Sequence, residues 1–89
     1  MKIDFDPEKD KANLVKHGLS LDLAKHMEWS TALVWGDDRT NYGEPRQSAL
    51  GQIGDRVHFV AFVDRADVRR VISLRKANVR EVMHYAEHS

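Results

Sequence analysis

Between Arg46 and Leu74 the chain leaves little room for anything except an antiparallel meander. Three apolar-rich segments, 46–53, 56–63 and 68–74, are separated only by the Gly54-Asp55 turn and by the stretch from Asp64 to Asp67. A parallel pair of strands needs a crossover of about a dozen residues or more, so connections this short permit only antiparallel pairing. In the middle segment Val57, Phe59, Ala61 and Val63 alternate with other residues, which assigns them to one face of the sheet.

The flanks read as helices. Ile3 and Phe5 suggest a short first strand. Asp6 can then cap a helix whose first position is Pro7, where no N–H is needed, and Gly18 stops that helix after His17. Ser20 can cap a second helix with Leu23, Ala24 and Met27 on its buried stripe and Leu19 packing back as a staple. Residues 32–35 read as a strand and Gly36 to Pro45 as a polar loop. At the end Asn78 and Glu81 have the spacing of a capping box. Val79, Val82, Met83 and Ala86 follow the i, i+3, i+4, i+7 rule, so that face is expected to be buried, with Arg80, His84 and Tyr85 pointing elsewhere. The expectation is one α+β domain over 1–89. Two N-terminal helices and a C-terminal helix would pack on a small antiparallel sheet of about four strands.

A chain of 89 residues can bury one small core. It has no cysteine, so disulfides and thiolate metal sites are excluded. No apolar run approaches the ~20 residues of a membrane span, and Met1-Lys2-Ile3-Asp4 does not open a secretory signal. A cytoplasmic protein without a membrane partner is expected. The formal net charge is zero, but it is unevenly spread. Arg65, Arg69, Arg70, Arg75, Lys76 and Arg80 face only Asp67 in their stretch, while acids gather near the start and around Asp37, Asp38 and Glu44. Such asymmetry fits a polyanionic partner, or simply a solvated surface rich in arginine.

No cofactor or metal is indicated. His84 and His88 have i, i+4 spacing but no zinc motif around them, and His26 and His58 read as ordinary surface or strand residues. There is no phosphate-binding glycine loop, no dinucleotide fingerprint and no nucleophile elbow; Gly43, Gly51 and Gly54 read as turn or bulge glycines. What remains is a set of cations with a histidine and a tyrosine. Those groups can break RNA without a metal: a base takes the 2′-hydroxyl proton, an acid protonates the leaving 5′-oxygen, and cations hold the charge that builds on phosphate. Lys16 and His17 could equally serve as favourable charge at a helix C-terminus, and Arg75 and Arg80 could pair with Glu81 or Glu87. Arg46 and Glu44 could simply start a strand and occupy a loop, Tyr85 could be half-buried, and Trp29 and Trp35 read as core or partner contacts.

Several pieces together resemble the BrnT toxins. They are Phe5-Asp6-Pro7 with Lys9, Asn13-Leu14 and Lys16-His17-Gly18; then Gly43-Glu44-x-Arg46 and Ala49-Leu50-Gly51; then Ile72-Ser73-x-Arg75-Lys76-Ala77, Arg80-Glu81 and Tyr85. The chain departs from the family pattern at Phe5, where tryptophan is frequent, at Pro45, at Leu74 and at Asn78, none of which removes a chemically active group. The resemblance implies a RelE-like fold and a metal-independent endoribonuclease that stops translation. Its partner would be a BrnA-like ribbon-helix-helix antitoxin, with operator DNA reached only through that antitoxin. It favours catalytic roles for Lys16, His17, Arg46, Arg75, Arg80 and Tyr85, and substrate contacts from Lys76 and Glu44. Two other functions stay open: a non-catalytic protein that clasps an antitoxin and tunes repression, and a plain RNA-binding module.

Overall fold

The computed structural model describes residues 1–37 and 44–88. Its sheet has five strands in the order β1-β5-β4-β3-β2: β1 is Lys2–Phe5, β2 Leu33–Asp37, β3 Arg46–Ile53, β4 Arg56–Arg65 and β5 Val68–Lys76. The expected meander is present, with β3, β4 and β5 antiparallel in the registers Gln47↔Phe62 and Phe59↔Arg75. β2 extends it, and carries into Asp37 what was expected to be loop; residues 38–43 of that loop lie outside the described residues. The sheet is not purely antiparallel. β1 adds to β5 in parallel, from Lys2↔Val68 to Phe5↔Val71. The limit on short connections does not apply to this pair, because most of the chain runs between its two strands.

Helix α1 spans Pro7–His17 and keeps the expected ends. The Asp6 side chain accepts from Glu8 N, and Gly18 closes the helix at φ 72°, its N–H donating to Leu14 O. The second expected helix is instead a 3₁₀ helix, Leu21–His26, followed by another at Trp29–Thr31. Its buried residues are Leu21 and Ala24, and Met27 just past its end continues the spacing by threes. That is the 3₁₀ period rather than the α period, and runs this short are where 3₁₀ geometry is tolerated. The start is pinned by Asp10, whose carboxylate accepts from Ser20 Oγ and Leu21 N.

The larger core lies under this 3₁₀ segment, where Leu21, Ala24 and Met27 pack with Ala49, Val60, Phe62, Val71 and Leu74. Gly51 belongs here and not to a turn. A Cβ on it would stand 2.9 Å from the Met27 sulfur and 3.1 Å from Ala32 Cβ, so a larger residue there would have to displace Met27. His58 is a strand residue as expected, but a buried one, its Nδ1 2.9 Å from Arg56 O.

Helix α2, Val79–His88, covers the other face at one end, where Tyr85 packs with Leu50, Val57 and Ala77. Asn78 and Glu81 form the expected capping box, with Asn78 N donating to Glu81 Oε1 and Glu81 N to Asn78 Oδ1. The buried side of α2 is not the expected one. Val79 is 76% exposed, Met83 61% and Val82 38%, while Tyr85 is buried. The helix leaves β5 after only Ala77 and Asn78, and the side it turns to the sheet carries the tyrosine. An apolar stripe is therefore left facing solvent. Among the described residues, no helix is long and apolar enough to cross a membrane.

α1 is fastened to the sheet by a buried amide. Past Val71, β5 has no strand partner on the β1 side, and Asn13 takes that place: its Nδ2 donates to Leu74 O (2.8 Å) and its Oδ1 accepts from Leu74 N (3.1 Å). Nδ2 also donates to Leu19 O. The helix is thus set beside the sheet with a defined rotation.

Candidate active site

That rotation opens a groove of about 610 Å³ between α1 and the sheet face opposite the larger core. One wall is a single helix face: Lys9, Ala12, Asn13 and Lys16, spaced i, i+3, i+4, i+7, with His17 beside them. The other side comes from the strands, with Arg46 on β3, Phe59 on β4, and Ile72, Ser73 and Arg75 on β5. Strand alternation brings Arg46, Phe59 and Arg75 to the same face as Ser48, Ala61 and Ser73, two residues away on their respective strands. Ser48, Ala61 and Ser73 are in register across three strands, so a row of small side chains lies between larger ones. The register shift at Ala61/Phe62 skips Ile72, which is how Ile72 and Ser73 both line the groove.

Arg75 is held by three contacts. Its guanidinium carbon sits 4.3 Å from the centre of the Phe59 ring. Its Nη1 and Nη2 donate to the two Glu81 oxygens at 2.8 and 3.0 Å, and Nη1 also reaches Lys76 O at 3.4 Å. The hydrogen bonds from Arg75 hold the Glu81 carboxyl below the usual carboxylate range, helped by Asn78 N–H and opposed by partial burial. A guanidinium has five N–H donors in a fixed fork. Glu81 takes the end edge, which leaves the Nε–Nη2 side edge for a second anion. Arg46 approaches from across the sheet. Lys16 and His17 occupy the last turn of α1, where the helix dipole favours cations.

The structure therefore gathers Lys16, His17, Arg46 and Arg75 on one concave surface, and leaves the other candidates outside its lining. Arg80 is exposed on the first turn of α2. Tyr85 is 8% exposed within the smaller packing cluster. Lys76 follows Arg75 along β5, and alternation directs it to the opposite face. Glu44 lines an adjoining depression and holds Arg65 through two 2.6 Å hydrogen bonds. Lys9, Asn13 and Phe59 are groove residues that the sequence reading did not select. The helical spacing of Lys9, Asn13 and Lys16 was the signal for the first two. Trp35 stands at the rim, 41% exposed, with its ring centre 6.4 Å from that of Phe59. Among the described residues, no three His, Asp or Glu side chains gather closely enough to hold a metal ion.

The family model for the ribonuclease toxin BrnT of type II toxin–antitoxin systems matches residues 5–81. No curated protein matches the chain.

Proposed function

The chain belongs to the BrnT family of ribonuclease toxins of type II toxin–antitoxin systems, and we propose that it is an endoribonuclease that cuts RNA without a metal ion and thereby arrests translation. The observation that carries this reading is the convergence of Lys16, His17, Arg46 and Arg75 on one groove. A ribose 2′-hydroxyl attacks the neighbouring phosphorus, the bond to the 5′-oxygen breaks, and the departing 5′-oxygen takes up a proton from water as a 2′,3′-cyclic phosphate forms. His17 takes the 2′-hydroxyl proton, because arginines do not shuttle protons at neutral pH and an imidazole does. Arg75 binds the phosphate through its free side edge while Glu81 and Phe59 hold it in place, and Arg46 and Lys16 stabilise the charge that accumulates on the phosphate. Arg80 and Tyr85 take no part in this scheme. The reading includes a single RelE-like domain acting in the cytoplasm.

The direct experiment incubates the purified chain with RNA in excess EDTA. Cleavage should persist and leave 2′,3′-cyclic phosphate ends, as attack by the 2′-oxygen requires. Intact RNA, or cleavage lost on chelation, would overturn the proposal. Intact RNA together with normal growth on expression without a partner would instead favour a non-catalytic antitoxin-binding protein.

A type II system supplies an antitoxin, and we assign it a BrnA-like ribbon-helix-helix protein, through which alone operator DNA is reached. Its docking on the exposed Val79, Val82 and Met83 stripe of α2 would bury the largest apolar surface that the helix leaves open. Replacing an apolar anchor at the centre of an interface costs about 2 kcal/mol or more, which is roughly 30-fold in affinity. Met83→Asp should weaken the toxin–antitoxin complex by that factor in a titration and leave RNA cleavage unchanged. Equal affinity would place the antitoxin on another surface.

A further inference from the structure

Trp35 lies on β2, the outermost strand on its side of the sheet. It is paired with Ser48, so it extends the row of Ser48, Ala61 and Ser73 onto that strand. Its ring is on the groove face, because it meets Phe59 there. Ser48 and Ala61, its neighbours along the row, are too small to cover an indole, and Trp35 stays 41% exposed. Trp29 has the ordinary fate of a tryptophan in a small domain. It packs edge-on against Phe62 beside the larger core, and its Nε1 donates to Ala24 O. Trp35 instead leaves an aromatic surface open at the lip of a groove.

Its place in the groove is specific. Phe59 stands between Trp35 and Arg75, with its ring centre 6.4 Å from that of Trp35 and 4.3 Å from the Arg75 guanidinium carbon. Glu81 takes the end edge of that guanidinium and leaves the side edge open. A flat apolar ring and a phosphate-binding fork are therefore set one side chain apart. One nucleotide spans such a reach from base to phosphate.

We propose that Trp35 is a stacking platform for one base of single-stranded RNA, the base of a nucleotide adjoining the phosphate that Arg75 binds. This rests on the reading of the groove as an RNA-cleaving site. A base within a duplex is covered on both faces by its neighbours and cannot lie on an indole, so the platform selects an unpaired strand. Stacking accepts any base, and its strength grows with the ring area in contact, so a purine should be preferred at this position.

The test uses 2′-O-methyl hexanucleotides, which lack the attacking hydroxyl, over a range of salt. Binding is read by anisotropy and by the tryptophan emission of the protein. In the unaltered chain a stacked base should quench part of the emission. In Trp35→Phe the remaining emission, from Trp29, should not respond, while affinity stays within about threefold because a ring is kept. Trp35→Ala should weaken binding by about tenfold, the usual scale for truncating one stacking aromatic. Its salt slope should be unchanged, because no phosphate contact is lost. Affinity within twofold of the unaltered chain in Trp35→Ala would overturn the platform, and so would quenching that persists in Trp35→Phe. If Trp35→Ala left RNA binding intact and weakened the antitoxin titration, Trp35 would belong to the protein interface and the proposal would fall. Thermal unfolding of both variants controls for folding, and the phenylalanine variant keeps the quenching test available if alanine loosens the edge strand. Cleavage of an unmodified hexanucleotide separates the two claims. If the unaltered chain fails to cut it while the quenching and affinity pattern holds, the platform stands and the catalytic reading falls; if it cuts while both substitutions leave binding and quenching unchanged, the reverse follows.

Discussion

Arg75→Ala should reduce RNA cleavage by about 100-fold or more, the usual loss when one preorganised donor to a developing oxyanion is removed. The expectation comes from how Arg75 is held. A guanidinium stacked on Phe59 and clamped by Glu81 needs no reorganisation when charge builds on the phosphate. Arg75→Lys should recover only part of the rate, because an ammonium keeps the charge but loses the fork and the stacking. His17→Ala should cost a comparable factor, since proton transfer by a positioned base contributes ~100-fold or more. Single-turnover cleavage and growth after expression are the readouts, with thermal unfolding as the control for the lost Glu81 pair. The antitoxin should still bind these variants, because the α2 stripe is untouched. Unimpaired cleavage by both alanine variants would move the active site elsewhere and end the proposed mechanism.

What was legible in the sequence was local. The meander follows from two short turns and one alternating strand, and the ends of both α-helices follow from Asp6, Gly18, Asn78 and Glu81. The parallel β1–β5 pair joins residues more than sixty positions apart, which no window of the sequence can register. The 3₁₀ segment was misread because six residues sample a period of 3.0 and one of 3.6 almost alike. On α2 the amphipathic pattern correctly marks an apolar stripe. It does not say whether the chain's own core or another protein covers that stripe, and Tyr85, which does the packing, lies off it. The site was divided in the same way. Arg75 and Arg80 look equivalent in sequence, yet strand geometry turns one into the groove and helix geometry leaves the other on the surface.

Asn13→Leu should destabilise the fold by about 3 kcal/mol or more, the largest effect expected from any single substitution outside the larger core. Leucine keeps the branched shape of asparagine but is bulkier, so no cavity is left, and the loss is one of hydrogen bonding with some added crowding. Asn13 is 5% exposed, and its amide serves Leu74 N, Leu74 O and Leu19 O together. Without it those groups are left buried and unpaired, at about 1–3 kcal/mol for each one that water cannot reach. A loss of this size is a large part of the 5–15 kcal/mol that an ordinary domain has in total. Urea unfolding should show a lower midpoint with an unchanged slope. The substitution should also slow cleavage by more than the unfolded fraction explains, because Asn13 sets the rotation of the helix that carries Lys9, Lys16 and His17. Asn13→Asp should rescue poorly, since a carboxylate can accept from Leu74 N but cannot donate to either carbonyl. Stability within about 1 kcal/mol of the unaltered chain would mean that other contacts hold α1 against the sheet, and that the groove does not depend on this amide.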